Sequence, residues 1–362
     1  MHILTLQPTL RGLAFAAFTE GSDQPAVESR LTLNQFDRST HLFPPDLFAR
    51  MNETLRRAEL PPPTAIGVHA LYGGDRFATP VFASDDVLSE LETLAPQAPL
   101  LVPNLVELTR SVRHTYRTAP VVLAFETAFF VNLPQCEQWY GLDLELMVSQ
   151  AIRRFGYHGL FHEAACRAAA RHRRLSAPRV LSLCLEPRPE LAACQGRRPV
   201  MVTGGNTLIE GLPGETTCGD LDPSVVLKLA HDTHWGPEEA SRVLTSESGL
   251  RGLLGRAVTL AEVLGSTGAS LQLARDVFLH CVLRACGAGI AALEGVDAIV
   301  YSGRYAASGA AVQAWLGPRL ARATRCDIPH LIHARTLSQH VRDVTRVLVL
   351  EDKGRTRQTA GH

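Results

Sequence analysis

The sequence predicts an α/β protein of two lobes, each built on a mixed sheet, around a central cleft. Three observations carry this expectation. The chain has 362 residues, and at about 100–200 residues per domain that length accommodates two domains. Apolar runs of strand length alternate with helical stretches in both halves, the pattern of α/β architecture. Each half also holds closely spaced strand runs that read as a hairpin or meander, which brings antiparallel pairing into each sheet.

The N-terminal lobe is expected over residues 1–143. Ile3–Phe18 holds two apolar runs split by Gln7-Pro8-Thr9, a hairpin, and Arg30–Phe36 reads as a third strand. Helical text runs from Pro45 to Glu59 and stops at Pro61-Pro62-Pro63. Ala65–Leu71 is a short buried strand that leads into Gly73-Gly74. Val87–Leu94 and Pro103–Arg113 are helices, and Ala119–Phe125 is a strand ending at Glu126.

The C-terminal lobe is expected over residues 144–343, with the tail 344–362 packing back on the first lobe. A helix from Leu144 precedes Gly156-Tyr157-His158-Gly159, and another runs from Phe161 to His172. Val180–Cys184, Leu191–Cys194 and Pro199–Val202 are three strands, followed by glycine-rich turns. Pro223–Ala230, Pro237–Leu244 and Leu271–Leu293 are helices. Asp222 before Pro223 reads as a helix cap followed by proline at the first helical position. Val296–Tyr301 and Val344–Leu350 are strands, and the polar end from Glu351 frays.

Composition excludes several function classes. Lys plus Arg and Asp plus Glu are both 36, and a nucleic-acid binder normally carries a basic excess. The arginines at 171, 173 and 174, and at 197 and 198, read as solvated helix ends and turns. No run reaches the roughly 18 apolar residues of a membrane span. The start, Met1-His2-Ile3-Leu4, lacks a signal peptide's basic region. The eight cysteines are dispersed with no CxxC pair, as in a cytoplasmic protein with buried thiols. Cys184 and Cys194, ten apart, form a pair that can bridge or share a metal, though two cysteines at that spacing are a weak signal. His231 and His234 lack zinc spacing, and no GxSxG, HExxH, Walker A or GxGxxG occurs.

Several motifs, in order along the chain, carry a resemblance. Phe155-Gly156-Tyr157-His158-Gly159-Leu160-Phe161-His162 resembles the Tyr-Gly-Phe-His-Gly-Thr-Ser-His signature of acetate and propionate kinases. Ile209-Glu210-Gly211-Leu212 and Thr216-Thr217-Cys218-Gly219-Asp220-Leu221-Asp222-Pro223 resemble Leu-Glu-Gly-Leu and Thr-Arg-Ser-Gly-Asp-Ile-Asp-Pro. Phe125-Glu126-Thr127-Ala128-Phe129 is similar to Phe-Asp-Thr-Ala-Phe. Gly73-Gly74-Asp75-Arg76-Phe77 and Ser248-Gly249-Leu250 match two further glycine motifs. The chain is identified on these grounds as a divergent member of the acetate kinase family. The resemblance implies two ribonuclease-H-like lobes of the actin, Hsp70 and sugar-kinase type. It also implies phosphoryl transfer from ATP to a small carboxylate with Mg2+, and a homodimer formed through the C-terminal lobe.

Carried over residue by residue, the resemblance makes His158 and Glu126 catalytic, with Glu126 in place of the family aspartate. A loop-packing role for His158 and a loop-capping role for Glu126 remain open, and His162 reads as a cap of the following helix. His69, Gly73, Gly74 and Tyr157 fall at substrate-binding positions, and Gly219, Asp220 and Gly303 at nucleotide or phosphate positions. Gln7 is the remnant of the metal-contacting N-terminal turn, whose serines have become Leu10 and Gly12.

Many positions depart from the family. Its two arginines are His69 and Thr217 here, and neither supplies a bidentate cationic fork. The phosphate loop His-Leu-Gly-Asn-Gly is Cys184-Leu185-Glu186-Pro187-Arg188, where proline lacks a donor and glutamate repels phosphate. The adenosine loop Gly-Gly-Ile-Gly-Glu-Asn is Gly303-Arg304-Tyr305-Ala306-Ala307-Ser308, and Asp-Phe-Arg is Thr259-Leu260-Ala261. Lys353-Gly354-Arg355 replaces the C-terminal metal carboxylate, with Glu351 and Asp352 just upstream. Three functions follow: a carboxylate phosphotransferase with a rebuilt site; a noncatalytic, pseudokinase-like binding or regulatory protein; or a protein with a changed donor or acceptor, whose old cleft takes a smaller or non-nucleotide ligand. The simultaneous changes predict negligible acetate kinase activity.

Overall fold

The structure, a computed structural model, describes residues 1–9, 12–32, 45–99 and 101–359. The chain divides into two compact units, Met1–Val131 with Thr336–His362, and Asn132–Arg335. The expected boundaries were 143/144 and 343/344.

The first unit opens with strands β1 (Ile3–Thr9), β2 (Gly12–Phe18) and β3 (Val27–Thr32), then helix α1 (Pro45–Arg57). Strand β4 (Ala65–Ala70), strand β5 (Val81–Phe82), helices α2 (Asp85–Glu92) and α3 (Val102–Thr115), and strand β6 (Val121–Phe125) follow. The hairpin pairs Ile3 with Phe18 through to Thr9 with Gly12. Leu10 and Arg11 at its tip, and residues 33–36 of the expected third strand, lie outside the described residues. The sheet order is β3-β2-β1-β4-β6-β5. Strand β4 runs parallel to both neighbours and is buried along its whole length, which explains a small and apolar sequence broken only by His69.

Val344–Leu350 is not a strand. It belongs to the C-terminal helix Leu337–Thr359. A short β-branched apolar run has no decisive period of its own, and the longer spacing decides: Val341, Thr345 and Val349 are buried four residues apart. This face lies on β4 at Gly67, where an added Cβ would stand 2.2 Å from Thr345 Oγ1 and 2.8 Å from Val341 Cγ1. Val349 completes a cluster with Ile3, Ala65 and Val122.

The second unit contains helices α4 (Gln135–Gln138), α5 (Leu144–Ser149) and α6 (Gly159–Arg173) before strands β7 (Arg179–Cys184), β8 (Glu190–Gln195) and β9 (Arg198–Val202). Helices α7 (Pro223–Thr233), α8 (Pro237–Ser246), α9 (Gly249–Leu254), α10 (Leu260–Gly265) and α11 (Ala269–Ala292) lead to β10 (Ala298–Ser302). Helix α12 (Gly309–Thr324) and strand β11 (His330–Ile332) close the unit. The sheet order is β11-β10-β7-β8-β9, with β7-β8-β9 an antiparallel meander and β10 parallel to β7 and β11. Helices α6 and α11 pack on this sheet. The core is built from Leu181, Leu183 and Ala193 of the strands with Phe278, Val282 and Cys286 of α11. Asp222 caps α7, accepting from the Ser224 N–H at 2.8 Å.

The sheet edge carries a pH-sensitive bond. The Tyr301 hydroxyl and His330 Nδ1 lie 2.8 Å apart. Burial pushes the Tyr301 pKa far up, so the phenol remains a donor. Burial also lowers the His330 pKa below its usual 6.5, which keeps the ring a neutral acceptor. A histidine with a depressed folded pKa contributes its full stability above the unfolded value. That stability is lost as pH falls toward and through the folded pKa. Urea unfolding between about pH 8 and about pH 5 is therefore expected to show a loss of stability that becomes shallower in His330→Gln. An unchanged pH slope in the variant would remove His330 from the account.

Candidate functional site

In the first unit, the parallel register of β4 and β6 sets His69 beside Ala124 and Ala70 beside Phe125. The next residue, Glu126, donates its backbone N–H to Ala70 O at 2.9 Å. Its side chain therefore meets His69, with Nε2 2.9 Å from Oε1. Both groups are buried, at 7% and 1% exposure, so the pair cannot be treated as a solvated surface contact. The following turn is fixed by the Gly73 N–H, which donates to Thr127 Oγ1 at 3.0 Å, and by Phe77 stacked on Phe125 at 4.7 Å. Gly74 continues it with φ +59°. The predicted residues His69, Glu126, Gly73 and Gly74 thus lie together. The histidine at the arginine position is already engaged by the carboxylate.

Gln7 spends its amide N–H on Ser338 Oγ at 2.7 Å, tying β1 to the C-terminal helix. Residues 351–355, where the family metal carboxylate aligns, are exposed on that helix.

In the second unit, His158 occupies the position before α6 with φ 54°, a left-handed conformation that costs a non-glycine residue about 1–2 kcal/mol. Its Nε2–H donates to the Arg188 carbonyl at 2.9 Å, because a carbonyl only accepts. Tyr157 is buried, and its hydroxyl donates to Asn206 O at 2.9 Å. The Tyr157 N–H donates to both oxygens of Glu190, at 2.9 and 3.0 Å.

His162 does not cap a helix. It lies inside α6 and is fully buried, with Nδ1 2.8 Å from Ser182 Oγ and Nε2 3.2 Å from Glu190 Oε1. The serine, histidine and carboxylate form the order of a hydrolytic relay. Ser182 is fully buried within β7, however, so no substrate reaches it, and the array braces the signature loop against the sheet. Glu190 went unnoticed in the sequence. The signal was a lone charge opening the apolar strand Glu190–Gln195, since a buried carboxylate requires partners.

The positions aligned with nucleotide-binding loops are filled from within. Gly303 adopts φ +87°, and a Cβ there would lie 2.8 Å from Leu185 O, so only glycine permits the close approach of the β7 and β10 ends. One residue on, the Arg304 N–H donates to Glu186 Oε1 at 2.6 Å. Glu215 donates its N–H to Pro187 O at 2.8 Å and accepts the Leu260 N–H at 2.8 Å. Burial and the hydrogen bond to Glu215 push the Tyr305 pKa up to about 12, so its hydroxyl stays protonated. Asp220 closes a loop on Gly211, accepting its N–H at 2.9 Å and donating back to its carbonyl at 2.9 Å. Gly219 sits in that loop at φ +73°. Thr217 is buried at the other arginine position.

The residues fit neither implied cofactor well. Among the described residues no three His, Cys, Asp or Glu side chains are grouped to hold a metal ion. Mg2+ prefers carboxylate and phosphate oxygens, but Glu126 is engaged by His69 and Gln7 is tied to Ser338. For ATP, the loop amide at Arg304 is already capped by a carboxylate, and a fixed negative charge there opposes a phosphate. Cys184 and Cys194 are both buried free thiols, and burial pushes the Cys194 thiol well up.

Residues 45–316 match the Acetokinase family. An acetate kinase from Clavibacter michiganensis subsp. michiganensis is 35% identical over 263 residues, covering 71% of this chain and 65% of that protein. One from Clostridium botulinum strain Langeland is 30% identical over 243 residues, covering 66% and 61%. The matched region thus spans less than two thirds of these relatives' length. In three dimensions the chain is similar to Porphyromonas gingivalis acetate kinase, with a TM-score of 0.82 at 18% identity over 96% of this chain and 99% of that one. It is equally similar to a propionate kinase from Francisella tularensis, with a TM-score of 0.82 at 20% identity over 95% and 98%. These likenesses bear out the two-sheet α/β fold expected from the sequence, and the family match settles descent: the chain belongs to the acetokinase family.

Proposed function

We propose that this acetokinase-family protein binds a small oxyanion, a carboxylate or its acyl phosphate, and transfers little or no phosphoryl group from ATP. The observation that carries the reading is the Glu186 carboxylate on the Arg304 N–H at 2.6 Å. In a phosphate-cradling loop, backbone N–H groups must be free to face the anion. Here the donor is spent on an internal carboxylate of the same charge. The His69–Glu126 pair supports the same conclusion, because an imidazole held by a carboxylate cannot act as a forked cation. The protein acts in the cytoplasm, in keeping with its eight free thiols. It pairs as a homodimer through the second unit. There α7 buries no residue, and Val225 and Leu229, one turn apart on the same face, stand exposed, an apolar pair suited to a second copy.

A second reading is a carboxylate kinase using ATP and Mg2+. It is favoured by His158, whose Nε2 is fixed on a carbonyl while Nδ1 stays available to a reacting group. Hydroxylamine trapping of acyl phosphate, with acetate or propionate plus ATP and Mg2+, separates the two. The expected result is no hydroxamate above the blank and no calorimetric ATP binding at millimolar concentration. Robust turnover that disappears in His158→Ala would establish the kinase instead.

A further inference from the structure

The hairpin tip between β7 and β8 reads Leu185-Glu186-Pro187-Arg188-Pro189. Its backbone is heavily constrained. Prolines flank Arg188 and restrict the backbone on both sides. Pro187 O accepts the Glu215 N–H at 2.8 Å, and Arg188 O accepts from His158 Nε2 at 2.9 Å. Glu186 is engaged by Arg304, and Glu190 by Tyr157 and His162. The acids nearest in sequence therefore have partners of their own.

The Arg188 guanidinium has no hydrogen-bond or ion-pair partner among the described residues. Arg154, Arg179 and Arg342 are partly or fully buried, and each meets a carboxylate: Glu210, Asp297 and Asp23. Arg188 is half-buried, yet among the described residues it forms no ion pair. Burial lowers its pKa, with no neighbouring acid to oppose the shift. A cation withdrawn from water without a partner is costly to the free protein, and the cost is relieved when an anion arrives. The Thr217 hydroxyl lies close by. A Cβ on Gly214 would stand 2.3 Å from Thr217 Oγ1 and 3.3 Å from Arg188 Cα, so both residues flank that glycine.

We infer that Arg188 is the oxyanion receptor of the second unit: a guanidinium carried on a rigid Pro-Arg-Pro tip whose backbone lies against His158 and Gly214, and that takes a carboxylate or phosphate oxyanion through its fork. A side-chain cation thereby replaces the backbone-amide cradle of the related loop, and the charge missing at residue 217 is supplied from a different position in the same unit. The inference rests on the oxyanion reading above.

Calorimetry of the full chain with sodium phosphate and with sodium acetate tests it, and the two titrations distinguish a phosphate from a carboxylate source. Binding of at least one probe is expected. Arg188→Met, which keeps the apolar stem, should weaken that binding by about tenfold or more, since a charge-assisted pair is lost. Arg188→Lys should fall between the two because it keeps the charge and loses the fork. Thermal unfolding of each variant without ligand confirms the fold, and the upward shift given by the bound probe should vanish in Arg188→Met. A folded Arg188→Met that binds as tightly as the parent overturns the inference, as does a parent that binds neither anion. Hydroxamate formation would overturn the noncatalytic reading and leave this result standing.

Discussion

Glu190→Ala is expected to lower the folding stability by about 3–5 kcal/mol, the cost of breaking a buried charged network from one side. At 3% exposure the carboxylate has no access to compensating water. Its removal strands the Tyr157 N–H, which points at both of its oxygens, and the His162 Nε2–H at 3.2 Å. Each buried donor left without an acceptor costs about 1–3 kcal/mol. Glu190→Gln keeps an acceptor oxygen and should lose less than half as much. Urea unfolding of the two variants measures the difference. An alanine variant within 1 kcal/mol of the parent, roughly the worth of one ordinary hydrogen bond, would show that the network is not a brace.

Gly67→Leu should destabilise the first unit by about 2–3 kcal/mol, in the range of an overpacked core position. The cause is contact between elements. A Cβ at Gly67 would lie 2.2 Å from Thr345 Oγ1 and 3.3 Å from the Val341 carbonyl, so the C-terminal helix must lift from β4. Limited proteolysis supplies a second readout, with earlier cleavage inside Leu337–Thr359 than in the parent. Gly67→Ala should show a smaller version of both effects. A leucine variant with the parental urea midpoint and cleavage pattern would mean that the helix is not held at this point.

The regular elements were legible because their sequences are periodic and their ends are marked. Pro61-Pro62-Pro63 stops the text after α1, and Asp222-Pro223 starts α7. Elements lacking those marks were missed. Helix α12 carries Pro318 within its length, and β11 has three residues. The C-terminal helix was misread because Val344–Leu350 taken alone has strand composition. Motif positions in the candidate site were equally legible, but their partners were not. Glu186 and Arg304 are 118 positions apart, and no local pattern announces that one will cap the other's amide. The unpaired state of Arg188 is a property of its surroundings, which only packing determines.

The grouping of Thr336–His362 with the first strands has a further consequence during synthesis. The second unit, Asn132–Arg335, is one uninterrupted stretch and can fold as soon as it has left the ribosome. The first unit cannot. Its β4 surface at Gly67 waits uncovered until the last helix is released, so the half made first is finished last. In that interval, which the length of the second unit sets, β1, β4 and β6 present apolar surface that chaperones recognise.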